Sequence, residues 1–114
     1  MDSIILDRLN NYIKDLFQLN PNIIDAYLFG SYATKKHNKD SDIDVALIID
    51  NLKDEEKFDL QVELLVFASN YDSRIEPHPI SILDFYANNP MSNEIKKNGV
   101  KLFGVDSKKV VNAN

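Results

Sequence analysis

Apolar residues at Ile5, Leu9, Tyr12, Ile13, Leu16 and Phe17 recur every three or four positions, the spacing that gathers side chains on one face of an α-helix. The pattern predicts a helix over Ser3–Leu19 with that face buried, stopped by Asn20-Pro21-Asn22. Ile23 to Phe29 is a short apolar run bounded by that turn and by Gly30, and it reads as a buried strand. The clearest strand in the chain is Ile43 to Ile49, I-D-V-A-L-I-I, closed by the turn-like Asp50-Asn51. Helical spacing returns from Lys53 to Ser69 through Phe58, Val62, Leu65 and Ala68. Asp54, Glu55 and Glu56 occupy its first turn, where acids favour the helix dipole.

The remaining segments are less regular. Ser31 to Lys39 is polar and can open a short helix near Ser31. Ile75 to Ile82 carries Pro77 and Pro79, which have no amide to donate, so it reads as an edge strand or an irregular end. Leu83 to Asn98 predicts one or two short helices broken at Pro90, Lys101 to Phe103 a last short strand, and Ser107 to Asn114 a frayed tail. Tyr27, Phe29, Phe58 and Phe67 fall at core spacings. Alternating strands and helices predict one small α/β (α+β) domain over residues 1–106, a mixed sheet of four or five strands with helices mainly on one face.

Composition narrows the chemistry. A chain of 114 residues suits a single core, and 44% hydrophobic with 27% charged residues is too apolar for disorder. The absence of cysteine removes disulfides, thiolate nucleophiles and cysteine-ligated zinc. The first residues lack the apolar core of a secretory signal, and no apolar run approaches the roughly 20 residues that span a bilayer. Cytoplasmic residence is therefore the expectation. A formal net charge of -5 argues against charge-driven binding of nucleic acid. An acidic protein can still hold a nucleotide if a bound cation supplies the missing positive charge.

Gly30 to Val45 concentrates the candidate chemistry. Gly30-Ser31 follows a strand, where glycine permits a sharp turn and close approach of a ligand, and amides and the Ser31 hydroxyl suit phosphate oxygens. By itself such a pair is usually only a turn. Asp42 and Asp44 are two apart on a strand start, so both carboxylates face one side and can converge on one or two cations, a set that suits magnesium with phosphate oxygens and water. A solvated acidic turn is the competing reading, weakened by the apolar Ile43 and Val45. Glu76 brings a third carboxylate beside the pair if its strand is a neighbour; otherwise it is a surface residue. His78 shares strand parity with Glu76 and can face the same site, or serve structure between two prolines. Lys35, Lys36, His37 and Lys39 form a basic stretch beside the glycine turn, able to contact a triphosphate or only to be solvated. Ser41 orders the turn before the aspartates. Tyr32, Tyr71 and Tyr86 are candidates to stack on a base.

Gly30-Ser31-x-Ala33, seven residues, then Ser41-Asp42-Ile43-Asp44-Val45 resembles the signature of the DNA polymerase beta nucleotidyltransferase superfamily, in its minimal nucleotidyltransferase (MNT) branch. The preceding helix, the strand with Glu76 and the I-K-K-N-G-V-K-L stretch from Ile95 also look like that branch; Lys35 departs from it, standing where many members have glycine. The resemblance implies Asp42, Asp44 and Glu76 as catalytic metal ligands for two magnesium ions. By it Gly30 and Ser31 would hold a nucleoside triphosphate, with ATP as substrate, and Lys35 and Ser41 beside them are further candidates to bind the nucleotide. It further implies an antitoxin that adenylylates a tyrosine of a helical HEPN toxin. The acceptor surface would come from that partner or from a second subunit, since larger relatives carry an acceptor-binding domain. Alternatives are transfer to a small hydroxylated molecule such as an aminoglycoside, and a non-catalytic module that neutralises a partner by contact.

Overall fold

In a computed structural model describing residues 2–104, Asp2 starts the first helix by accepting the Ile4 amide on its side chain at 2.7 Å, which satisfies a donor the first turn leaves free. That helix, α1, runs Ser3–Leu19 and buries Leu9, Tyr12, Ile13, Leu16 and Phe17, the predicted face with Ile5 partly covered at its end. Then follow β1 (Ile23–Phe29), a single 3-10 turn (Gly30–Tyr32), β2 (Ile43–Ile49) and α2 (Asp54–Ala68). The chain continues through β3 (Ile75–Ser81), α3 (Ile82–Tyr86), α4 (Pro90–Asn98) and β4 (Val100–Gly104). The predicted tail lies outside the described residues. The short helix expected over Ser31 to Lys39 is reduced to that one 3-10 turn, and Lys35 beyond it takes a left-handed φ of 61° that no right-handed helix accommodates.

The sheet order is β3-β2-β1-β4, with β1 antiparallel to both neighbours and β2 parallel to β3. A parallel pair needs a crossover, and α2 provides it. β3 is an edge strand, as Pro77 and Pro79 predict. Ile43, Val45, Leu47 and Ile49 point to the face covered by α1 and α2 and form the main core with them. Ala46 and Ile48 point to the other face, against Phe29, Ile80, Phe85 of α3 and Ile95 of α4. The two long helices thus share one face, and β2 reads as an unbroken apolar run after Asp44 because it is covered on both sides.

One prediction fails on α2. Of the predicted face only Ala68 is buried; Phe58 is 75% exposed, and Val62, Leu65 and Val66 are exposed beside it. Leu64 and Ala68 face the core instead, with Leu60 and Phe67 packed against it. The apolar residues of the helix fall on several sides, so spacing alone does not choose its inner side. α1 chooses: the Tyr12 hydroxyl donates to the Leu64 carbonyl at 3.2 Å, and the rings of Tyr12, Phe67 and Tyr71 meet at centroid distances of 5.3 to 6.0 Å. Tyr71 also donates to Asp15, and that bond, with burial, pushes its pKa up to about 12. No helix among the described residues is long and apolar enough to cross a membrane.

The turn into β3 is fastened by Asp72. Its buried carboxylate accepts from the Arg74 amide at 2.9 Å, from Arg74 Nε at 2.9 Å and Nη2 at 2.7 Å, and from Arg8 Nη1 of α1 at 3.3 Å. The Arg74 carbonyl in turn accepts the Ile43 amide at 2.8 Å. This chain of bonds sets the starts of β2 and β3 side by side.

Candidate active site

Three strand ends meet at one end of the sheet. β1 finishes where β2 begins, with Phe29 opposite Asp44. Asp44 is in turn paired with Glu76 across the parallel ladder. Parity then decides which side chains share a face: Asp44 on β2, Glu76 and His78 on β3, with Asp42 just before the strand. Asp42 is exposed and close enough to Glu76 to raise its pKa, while Asp44, Glu76 and His78 are half-buried. Asp44, Glu76 and His78 each present one ligand atom, all within 4.8 Å of one another. The sequence placed Asp42, Asp44 and Glu76 together on condition that the strands be neighbours, and the structure brings them together. It adds His78, for which strand parity with Glu76 was the available signal.

Gly30 closes the site from the β1 side. Its φ of 73° is left-handed, and a Cβ placed on it would stand 2.5 Å from Asp44 Oδ2. Only glycine lets the turn lie this close to the carboxylate. The Gly30 carbonyl accepts the amides of Ala33 and Thr34 at 3.1 and 3.2 Å, and the Ser31 carbonyl accepts that of Lys36 at 2.9 Å. Ser31 is partly exposed at the turn. Lys35, Lys36 and Lys39 are exposed, whereas His37 folds inward and stacks on Tyr32 at 4.0 Å. Ser41 Oγ accepts the Asn38 amide at 2.9 Å, fixing the turn that delivers Asp42. Tyr32 and Tyr71 are engaged in packing, and Tyr86 is 72% exposed with Lys96 over its ring at 5.6 Å.

His78 ties the row together. Its ring meets Phe29 edge-on at 5.1 Å, and Nε2 lies 3.1 Å from Asp44 Oδ1. Among the described residues, no lysine or arginine pairs with Asp42, Asp44 or Glu76. Glu76 therefore holds its proton more tightly than an ordinary glutamate, first because it is buried, then through the close carboxyl of Asp42 and the charges of Asp42 and Asp44; His78 opposes the rise. A divalent cation fits this set: oxygen donors converge, and negative charge is left without a cationic side chain. A hollow of about 280 Å³ between Asn20, Asp50, Leu52 and Leu60 lies at the opposite end of β1 and β2, away from this chemistry.

Known proteins place this geometry. The family pattern described as Polymerase beta, Nucleotidyltransferase matches residues 11–108. No protein of curated function matches the sequence. Among solved structures, a protein from Sulfolobus solfataricus shares the fold at 17% identity, with a TM-score of 0.65 over 90% of this chain and 82% of that one. A toxin-antitoxin crystallised with AMP-PNP is similar at 26% identity and a TM-score of 0.60, over 91% and 85% of the two chains. A tri-AMPylated Shewanella oneidensis HEPN toxin in complex with MNT antitoxin gives 25% and 0.58, over 94% and 78%. With the acids, the glycine turn and the family pattern falling on the same residues, the chain belongs to the polymerase beta nucleotidyltransferase family.

Proposed function

We propose that this chain transfers AMP from ATP, with magnesium, to a tyrosine hydroxyl of a helical HEPN-type toxin, and so acts as the antitoxin of a pair. The observation that carries the reading is the in-register pairing of Asp44 with Glu76 beside Gly30, which sets carboxylates and a tight glycine turn at one spot. The similar toxin-antitoxin structures, one with AMP-PNP and one with an AMPylated HEPN toxin, support the nucleotide and the partner.

In this reading Asp42, Asp44 and Glu76 hold the magnesium ions. When bound, the metal neutralises charge on the triphosphate and lowers the pKa of the attacking hydroxyl. Gly30 and Ser31 receive the phosphate tail, with Lys35 at its outer side, while Ser41 keeps the aspartates in place. The tyrosine oxygen forms a bond to the α-phosphorus as the bond from that phosphorus to the β-phosphate bridging oxygen breaks. Pyrophosphate leaves with the bonding electrons, and the hydroxyl proton passes to a carboxylate of the cluster. The site residues orient the two reactants for this displacement.

Incubation with α-labelled ATP, magnesium and a co-expressed HEPN-type toxin, followed by mass spectrometry, tests the proposal. Addition of AMP to a toxin tyrosine, absent with Asp44→Asn, is the expected result. Labelling of a small hydroxylated molecule alone would replace the acceptor. Neutralisation of the toxin without metal-dependent ATP binding would make the chain a binding module.

A further inference from the structure

Magnesium is held by oxygen donors, yet the row of acids here contains a nitrogen. His78 is not a loose neighbour. Its ring is packed against Phe29, and its Nε2 lies 3.1 Å from Asp44 Oδ1. One Asp44 oxygen faces His78 while the other faces the Gly30 turn, so the two oxygens of that carboxylate look toward different parts of the site. Two donors adjacent on an octahedral divalent ion, with bonds of about 2.1 Å, stand about 3 Å apart. The separation between His78 Nε2 and Asp44 Oδ1 is that spacing, and Glu76 offers a third ligand atom within 4.8 Å of both.

We infer that His78 is a direct ligand of the cation held by Asp44 and Glu76, giving a mixed nitrogen and oxygen site that favours manganese over magnesium. The inference rests on the nucleotidyltransferase reading and sharpens it. Magnesium takes oxygen and keeps its waters, whereas a first-row divalent ion, manganese included, exchanges its waters more readily and accepts nitrogen beside oxygen. The competing arrangement is that Nε2–H merely donates to Asp44 and positions it. That role would help every cation alike.

The two are separated by titrating MgCl2 and MnCl2 calorimetrically into the wild type, H78A and H78Q in the presence of AMP-PNP, with a thermal melt to confirm folding. As a direct ligand, His78 makes the wild type bind manganese at least tenfold more tightly than magnesium. H78A then loses about tenfold for manganese and less than twofold for magnesium. Pulsed EPR of the manganese complex shows a nitrogen coupling in the wild type that is missing in H78Q, a variant that fills the space and can still bond Asp44. Equal losses for both ions, restoration of manganese preference by glutamine, or no nitrogen coupling in the wild type would each overturn the inference while leaving the transferase reading intact. Failure of both ions to bind the wild type would overturn the inference and the transferase reading together.

Discussion

Asp72 and Glu76 stand at the entrance of the same strand, and their carboxyls have opposite surroundings. Asp72 is buried among the guanidiniums of Arg8 and Arg74, and those bonds, Arg74 foremost, hold its carboxyl well below the usual range. Glu76 is set against Asp42 and Asp44, with burial and like charge pushing its carboxyl up. Where the chain supplies its own cations, the acid fastens two strand starts and α1 together. Where it withholds them, it leaves a charge imbalance that a divalent ion can settle. A cluster like this weakens the fold locally, which is expected of a site kept for chemistry.

The contrast can be broken most severely at Asp44. Asp44→Asn is expected to lower AMP transfer about 10³-fold, measured with α-labelled ATP, while the melting temperature stays level or rises because a like charge has gone. A strong loss of stability instead would mean that the acid row is structural after all.

Asp72→Ala should do the reverse. Removing a buried carboxylate from its cationic partners is expected to destabilise the fold by about 3 kcal/mol, or roughly 10 to 20 °C in a domain of this size, with transfer retained below the new transition. Since the carboxyl of Asp72 is held low in the folded state, its contribution is complete above about pH 4 and drains away as the pH falls further. Urea unfolding at pH 7 and pH 3 should therefore show the wild type and the variant converging in acid.

Gly30→Ala sharpens the comparison without touching a charge. The left-handed backbone costs an alanine about 1 to 2 kcal/mol, and its Cβ would displace the Asp44 carboxylate from 2.5 Å. Titration with magnesium and AMP-PNP should show weakened binding although every acid remains. The smallest effect is expected at Lys35, whose left-handed φ of 61° suits glycine better. Lys35→Gly should raise stability by about 0.5 kcal/mol, read by thermal melt, and any accompanying loss of nucleotide binding would assign the lysine a contact with phosphate.

Much of this was legible in the chain itself. The bounds of α1, β1 and β2 follow from apolar spacing and from Pro21 and Gly30, because both signals act within a few residues. Pro77 and Pro79 marked β3 as an edge for the same local reason. Gly30-Ser31 and Asp42-x-Asp44 stood out because each is a backbone or parity requirement written in adjacent residues. α2 was misread: with Phe58, Val62, Leu64, Val66 and Phe67 on several sides, its inner face depended on which residues α1 offered.

What the sequence determined by itself was therefore the elements and the parity of the acids along their strands. Only the tertiary structure decided that β3 lies beside β2 in parallel, with Asp44 level with Glu76, and that His78 joins them under Phe29. The physical reason is range: periodicity and turn chemistry operate over a few residues. Register between strands separated by a whole helix is settled by the crossover, the shared core and the Asp72 bonds at the strand entrance.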